Sequence, residues 1–211
     1  MSGWEKVHVD DLDAIHVAGV VWRPVRRRLG IEAFGMNAYT AEGVGKQIVE
    51  EHDESQLGHQ EVYVVVRGRA RFTVGGEEFD APAGTIVFIR DPTLRRVAVA
   101  ETGDAVVLAV GNAPGRAYEP SAWETSFAAT PLVDEGLYEE AYAMFEQALH
   151  EHPGNASLLY NFACAEARGG RAGPALEHLR QAIETQPDYA TRAQVDPDFE
   201  SVRGNPGFPA S

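Results

Sequence analysis

The stretch Glu61-Val-Tyr-Val-Val-Val-Arg-Gly-Arg-Ala-Arg-Phe-Thr-Val-Gly-Gly76 decides the fold of the first half of the chain. Eight of its first fourteen residues are β-branched or aromatic. Such side chains fit a pleated, buried surface and fit a helix poorly. Gly68 interrupts the run, and Gly75-Gly76 closes it as a two-residue hairpin turn would. The stretch therefore predicts strand structure in the middle of a barrel or sandwich.

Short strand-like segments lie on both sides of this stretch, and turn signals separate them about every ten residues. The predicted strands cover residues 16–22, 31–40, 77–81, 85–89, 94–100 and 105–110. Residues 1–15 predict a short edge strand or an arm, and residues 23–30 predict a turn with a solvated basic segment. Many short strands at this spacing indicate an all-β barrel or sandwich.

Residues 45–110 resemble a cupin domain. The first motif of that family contains a Glu, then six residues, then a Gly, and Glu61 and Gly68 have this spacing. Gly84, which precedes an apolar strand, matches the start of the second motif. The resemblance implies a cupin double-stranded β-helix, a jelly-roll barrel, over residues 1–112.

Many cupins bind a divalent metal through an H-x-H pair, the motif Glu and a His of the second motif. Residues two apart on a strand share a face, so the H-x-H pair points both imidazoles inward. In this chain the H-x-H position reads His52-Asp53-Glu54, and Arg95 stands at the second-motif His. The resemblance therefore identifies the position of a metal site but not its full set of ligands.

An arginine in place of that histidine removes a ligand and adds a fixed positive charge. Our hypothesis is that Arg95 occupies the metal's place and neutralises Glu54 or Glu61, because a buried carboxylate without a partner is costly. The predicted pocket then consists of His52, Glu54, Glu61, Tyr63 and Arg95, and it holds no metal or other cofactor.

Two alternatives stay open for the same residues. His52, Glu54, His59 and Glu61 could form a four-ligand N2O2 site for a divalent metal without Arg95. Alternatively, His52, Glu54 and His59 all lie on a solvated loop and bind nothing.

Composition limits the partners and the compartment. The formal net charge is -14, so nucleic acid and membrane surfaces are poor partners. Cys164 is the one cysteine of the chain, which excludes an internal disulfide and favours a reducing compartment. Its alanine neighbours predict a buried position in a helix. No long apolar run is present, and we expect a cytoplasmic protein.

The second half predicts helices and an internal repeat. After a Pro- and Gly-containing linker at residues 113–120, five positions recur with an offset of 34 residues. Gly136, Ala141, Phe145, Ala148 and Pro153 recur as Gly170, Ala175, Leu179, Ala182 and Pro187. This pattern resembles two tetratricopeptide repeats, helix-turn-helix units of that length. The predicted helical domain covers residues 121–203, and residues 204–211 form a tail.

Helices are expected at residues 121–135, 138–151, 155–168, 172–186 and 188–195, with a last short turn after Asp196-Pro197. Ser121 to Glu124 has the pattern of a capping box, and Pro131 is expected to kink or break the first helix. Two repeats are fewer than a free solenoid needs. The helices are therefore expected to pack on the barrel, on the segment 188–203 or on a second chain.

The fold class is thus β then α, a cupin barrel followed by tetratricopeptide-like helical hairpins. We expect a non-enzymatic protein whose barrel binds an anionic small molecule through Arg95 and whose helices bind a protein partner. The alternative is a metal-dependent cupin isomerase, decarboxylase or dioxygenase. A third reading is a purely structural barrel. A homodimer is the expected assembly.

Overall fold

The computed structural model of the protein describes residues 5–209. The chain divides into two compact units, residues 1–120 and residues 121–211, so the expected linker at 113–120 groups with the first unit. None of the helices in the described residues combines the length and apolar character that crossing a membrane requires.

The first unit contains ten strands and one short α-helix among its described residues. The strands are β1 (Ile15–Val17), β2 (Val20–Arg23), β3 (Gly35–Thr40), β4 (Gln47–His52), β5 (Gln60–Arg67), β6 (Arg69–Val74), β7 (Glu77–Pro82), β8 (Ile86–Ile89), β9 (Arg96–Ala100) and β10 (Val106–Asn112). Helix α1 spans Val25–Leu29, and a 3-10 helix spans Val9–Asp11.

These strands form two antiparallel sheets with jelly-roll topology. One sheet has the order β1-β2-β3-β10-β5-β8, and the other has the order β4-β9-β6-β7. From β3 onward, every connection between consecutive strands crosses from one sheet to the other except the β6–β7 hairpin, and the first of these eight strands, β3, pairs with the last, β10. This arrangement is a double-sheet jelly roll. It confirms the predicted barrel.

The stretch that decides the fold supplies two strands, one to each sheet. Strand β5 pairs with β10 and β8, while β6 pairs with β9 and β7. Gly68 lies between them with φ of +67°, a value that favours glycine. The predicted hairpin is confirmed, since Gly75 and Gly76 both have positive φ and connect the paired residues Val74 and Glu77.

The N-terminal region differs from expectation in two places. The predicted strand 16–22 is a hairpin, because Ala18 and Gly19 adopt positive φ and turn the chain between β1 and β2. The basic segment 23–30 contains helix α1. Val25 of this helix packs on the outward face of β3, against Ala38. That apolar contact explains why a segment with three consecutive arginines forms ordered structure.

The second unit contains the expected helices. They are α2 (Ala122–Asp134), α3 (Tyr138–Glu151), α4 (Ala156–Arg168), α5 (Ala172–Thr185) and α6 (Asp188–Val195), followed by a 3-10 helix at Pro197–Phe199. The prediction that Pro131 breaks the first helix is wrong, because α2 continues to Asp134. Pro131 has no N–H for the carbonyl oxygen of Phe127, four residues earlier, and α2 forms its last turn without that bond. Ser121 does precede α2, but its side chain makes no capping hydrogen bond.

The C-terminal segment completes the core of the second repeat. Phe199 has no exposed surface and packs in one cluster with Leu179, Ala182 and Ala193. Tyr160 stacks on Tyr189, with 4.4 Å between ring centroids. Residues after α5 therefore cover the apolar face that two repeats alone would leave open. Cys164 is buried in α4, as predicted.

Candidate functional site

A polar cluster lies where β4, β5 and β9 approach one another in the barrel. Strand β5 contributes Glu61 and Tyr63, which are two residues apart and therefore share a face. His52 ends β4, and Arg96 begins β9. Glu54 lies in the loop that follows β4. The structure thus brings together four of the predicted pocket residues.

The fifth predicted residue, Arg95, does not belong to the cluster. Its side chain is 64% exposed and pairs with exposed Glu51 at 3.2 Å. The hypothesis that Arg95 occupies the metal's place inside the barrel is therefore wrong. Arg96 points inward instead, since it is buried together with Ala98 and Ala100 at alternate positions of β9. The arginine that neutralises a buried carboxylate is the next residue along the chain.

All three nitrogens of the buried Arg96 guanidinium donate hydrogen bonds. Its side chain is 0% exposed. Nε and Nη2 both donate to Glu61 Oε2, at 3.1 and 2.7 Å. Nη1 donates to the carbonyl oxygens of Leu94 and Pro92, at 2.8 and 3.3 Å. Because these bonds engage all three nitrogens, Arg96 is a structural ion-pair partner and not an open anion receptor.

Glu61 is held as a carboxylate by its neighbours. Tyr63 Oη donates to Glu61 Oε2 at 2.6 Å, so this oxygen accepts bonds from both Tyr63 and Arg96. Burial alone would raise the pKa of Glu61, but nearby His52, the hydrogen bond from Tyr63 and the charge of Arg96 outweigh burial and lower it. Burial and the Glu61 charge raise the pKa of Tyr63 well above its usual value. Tyr63 is therefore a neutral donor.

His52 presents its Nε2 atom to the two carboxylates. Nδ1 donates to the Glu50 carbonyl oxygen at 2.8 Å, so the lone pair of the neutral ring belongs to Nε2. Nε2 lies 3.7 Å from Glu61 Oε2 and 3.9 Å from Glu54 Oε1. Burial would lower the pKa of His52, but its bonds to Glu61 and Glu50 raise it.

Glu54 differs from Glu61 because no arginine neutralises it. The residue is 9% exposed. Burial first, and the negative charge of Glu61 second, raise the pKa of Glu54 to about 7. Its Oε2 atom is buried without a hydrogen-bond partner, although His59 Nδ1 is 3.4 Å away. Burial lowers the pKa of His59. The cluster thus contains an acceptor oxygen that is close to a neutral imidazole and lacks a well-aligned donor.

The residues that would hold a divalent metal meet only part of its requirements. Donor atoms of His52, Glu54 and Glu61 lie within 4.8 Å of one another. The Glu61 oxygen nearest His52, however, already accepts from Tyr63 and twice from Arg96. A metal there would compete with a guanidinium 2.7 Å from its ligand. The donor set therefore fits a metal poorly unless the Arg96 ion pair breaks.

An apolar groove lies at another place on the barrel, between the edge strands β7 and β8. Its volume is about 690 Å³. Phe79, Ile86, Phe88 and Leu94 line it, and all four side chains are exposed. Sequence reasoning did not single out this groove, since no motif marks the two strands as edges.

Comparisons with known proteins match each unit separately. Residues 132–195 match the family model described as tetratricopeptide repeat. No curated protein sequence matches the chain significantly. Solved structures of several cupins match the N-terminal unit.

A cupin protein from Bacteroides fragilis is 18% identical, with a TM-score of 0.40, and the match covers 57% of this chain and 93% of that one. A Cupin 2 conserved barrel domain protein from Salinispora arenicola is 19% identical, with a TM-score of 0.43, and coverage is 54% and 92%. A sugar phosphate isomerase of the cupin superfamily from Silicibacter pomeroyi is 16% identical, with a TM-score of 0.42, and coverage is 51% and 75%. These likenesses bring no activity or ligand to this chain.

The strand topology and the Glu61–Gly68 spacing define the first unit as a cupin-like jelly roll. Residues 132–195 of the second unit match the tetratricopeptide-repeat model. The chain is therefore a double-sheet jelly roll, similar in fold to cupins, followed by a helical unit with a tetratricopeptide-like repeat, in the order that the sequence predicts.

Proposed function

We propose that the barrel binds a small molecule without a metal, at the cluster of His52, Glu54 and Glu61. The observation that carries this proposal is the buried Glu54 Oε2, which has no hydrogen-bond partner. Leaving a buried carboxyl oxygen unsatisfied is costly, and a ligand that donates a hydrogen bond would remove the cost. Arg96 meanwhile satisfies Glu61, so the two carboxyl groups have different roles.

In this proposal the ligand donates hydrogen bonds. It therefore replaces the anionic small molecule that the sequence led us to expect. Anion binding depended on an inward Arg95 with free donors, and Arg95 is exposed. The inward arginine, Arg96, directs its donors to Glu61 and two carbonyl groups. An anion would also lie beside the carboxyl groups of Glu54 and Glu61, which repel it. A neutral or cationic donor suits these groups better.

Imidazole NMR resonances test the binding proposal directly. We expect small polyols or amines to shift the ring signals of His52 and His59. Glu54→Gln should weaken these shifts, because the amide N–H groups of Gln compete with the ligand's donors for the same space. Glu51→Gln is the matched control, since Glu51 is exposed and pairs with exposed Arg95 outside the cluster. Shifts that are equally large in Glu54→Gln would contradict a role for Glu54.

A metal-dependent cupin enzyme is the second candidate, favoured by the 4.8 Å grouping of His52, Glu54 and Glu61. We expect protein purified without chelator to contain less than about 0.1 equivalent of Fe, Mn, Ni or Zn, because Arg96 competes for Glu61. Elemental analysis measures this content. Stoichiometric metal that is lost in His52→Ala would reverse the preference for metal-free binding.

A second copy of the chain is the proposed partner of the outer sheet surface. Outward positions of β5 and β8 carry Val62, Val64, Val66, Ile86 and Phe88, with no carboxylate among them. Two copies that each carry a net charge of -14 repel, so a shared contact needs a face without acidic groups. Strand β8 also has an unpaired edge in the sheet.

Sedimentation velocity tests the dimer. We expect Ile86→Asp to convert a dimer to a monomer, since a buried unpaired carboxylate disfavours the interface. Val44→Asp is the matched control, because Val44 and Ile86 are both 67% exposed and Val44 lies in the β3–β4 loop. Dimers that persist in Ile86→Asp, or a monomeric unmodified protein, would exclude this interface.

The helical unit is proposed to bind a protein partner, as its match to the tetratricopeptide repeat suggests. In this proposal, ligand binding in the barrel changes the availability of the helices. Hydrogen exchange of α2 to α6 with and without bound ligand measures such coupling. Identical exchange in both states would mean that the two units act independently.

A further inference from the structure

Asn37 is a second buried polar group without a partner, and no sequence motif marks it. It lies in β3 between Met36 and Ala38, whose side chains pack outward with Val25 and Leu29 of α1. Side chains alternate along a strand, so Asn37 points into the barrel. The residue is 6% exposed, and within residues 5–209 its Oδ1 atom has no hydrogen-bond partner.

The strand register places Asn37 in one row with the candidate site. Asn37 pairs with Ala109 of β10, and Ala109 pairs with Tyr63 of β5 on its other side. Paired residues point to the same face of a sheet. Asn37 and Tyr63 are therefore separated by two strand spacings, roughly 10 Å, with only the methyl group of Ala109 between them.

The space above Ala109 is not closed by other side chains. Strand β10 has a neighbour on each side, yet Ala109 is only half-buried. The next row on this face runs from Gly35 through Gly111 to Glu61. A methyl group on Gly35 would lie 3.1 Å from Tyr118 Oη, and one on Gly111 would lie 3.1 Å from Glu61 Cγ. Large side chains thus contact the glycine row, whereas Ala109 keeps part of its surface exposed.

Two buried acceptors, Asn37 Oδ1 and Glu54 Oε2, therefore belong to one barrel unit and lack donors. A barrel that only needed stability would place an apolar side chain at position 37, because an unsatisfied buried amide weakens the fold. A bound molecule that donates a hydrogen bond to Asn37 Oδ1 would remove this cost and so explain why the position is an amide.

We propose that the ligand lies over Ala109 and donates one hydrogen bond to Asn37, with Glu54 as its second acceptor. This inference rests on the proposed function and narrows it. The shared chemistry is a compact molecule with at least two hydroxyl or ammonium donors, that is, a polyol or an amine. The negative charge of Glu61, which lies beside Glu54, disfavours carboxylates and phosphates.

The test compares three classes of probe on the full chain. Polyols are represented by myo-inositol and glycerol, amines by ethanolamine and spermidine, and anions by phosphate and acetate. The readouts are the side-chain amide signal of Asn37 and the imidazole signals of His52. We expect a polyol or an amine to shift both signals and the anions to shift neither. Comparing the polyols with the amines then shows whether the site prefers hydroxyl or ammonium donors.

Two variants separate binding from folding. Asn37→Leu should weaken binding of the active probe at least about tenfold, the equivalent of one lost hydrogen bond, without lowering the melting temperature. Ala109→Val should weaken it similarly by filling the open row. Asn161→Leu is the contrasting control in the helical unit, because Asn161 donates to Ser126 at 3.0 Å and its loss should lower stability.

The outcomes are distinguishable. Probes that shift His52 but leave the Asn37 amide unchanged would overturn this inference and leave the proposed function standing. Preferential binding of phosphate or acetate would contradict both this inference and the proposed function, because both require a ligand that donates hydrogen bonds. A panel in which no probe shifts either residue would count against both. An Asn37→Leu variant that unfolds at lower temperature and binds normally would assign Asn37 a structural role.

Discussion

Arg96→Ala is expected to destabilise the barrel by about 3–5 kcal/mol, because the substitution leaves Glu61 buried without its counterion. The loss includes both guanidinium bonds to Glu61 and the bonds to the Leu94 and Pro92 carbonyl oxygens. Urea unfolding, followed by hydrogen exchange of amides in β5 and β9, measures the effect in this unit alone. Glu61→Gln combined with Arg96→Met should recover much of the stability, since both charges are then removed.

Arg95→Ala is the matched control, one residue away. Its side chain is exposed and its partner Glu51 is exposed as well, so we expect a change within about 0.5 kcal/mol. Equal losses in the two variants would contradict the assignment of Arg96 as the inward residue. A large loss for Arg95→Ala alone would restore the original interpretation of the motif.

The free energy of unfolding is expected to fall by about 1–3 kcal/mol as pH rises from 5 to 8. The folded protein raises the pKa of Glu54 from 4.5 to about 7, so between these values it binds a proton that the unfolded chain has released. Stability therefore decreases with rising pH across this window and levels off above it. The pKa of His52 is also raised, so its contribution to stability likewise decreases as pH rises above the ordinary pKa of histidine.

Other groups in the cluster act differently on the same profile. The pKa of His59 is lowered, which opposes the effect of His52. The pKa of Glu61 is also lowered, so its stabilising contribution is lost only when pH falls below the ordinary glutamate value. Glu54→Gln should remove most of the dependence of unfolding free energy on pH between pH 5 and 8. Burial also raises the pKa of Glu50, and this residue should account for the dependence that remains.

Urea titrations at five pH values, with Glu51→Gln as the exposed control, measure this dependence. The control should retain the slope of the unmodified protein. A Glu54→Gln variant whose slope equals that of the control would show that Glu54 is ionised like an exposed carboxylate. A slope of the opposite sign would mean that His59 dominates the titration.

The sequence predicts the backbone of both units well because two local patterns determine it. Apolar residues with turns about every ten positions specify the jelly roll, and the 34-residue offset specifies the helical hairpins. Pro131 is an exception, since a proline in the last turn removes little from a helix that packing already stabilises. Propensity alone does not weigh that packing.

The candidate site could be predicted only in part, because its geometry depends on strand parity. The motif spacing assigned the inward arginine to position 95, whereas the pleat places Arg96 inside. The pairing of β4 with β9 shifts register twice between Gln47 and His52. Counting residues along the chain therefore does not show which side chain of β9 points toward His52. The alternating Ala98 and Ala100, both buried, were the signal that could have indicated the correct parity.

Asn37 and the free oxygen of Glu54 were beyond sequence reasoning for a different reason. Whether a buried polar atom has a partner depends on three-dimensional neighbours from other strands, and no local pattern records them. The residue pairs Asn37–Ala109 and Ala109–Tyr63 are separated by more than forty positions in the chain.

The pleat of β5 also constrains how this protein can change over evolutionary time. Glu61 and Tyr63 face the polar cluster, while Val62 and Val64, which alternate with them, face outward. Inserting or deleting one residue here would exchange the two sets and bury valines in place of the cluster. Length variation among descendants should therefore accumulate in the loop 53–59, where His59 can vary its reach toward Glu54 while the strand keeps its register.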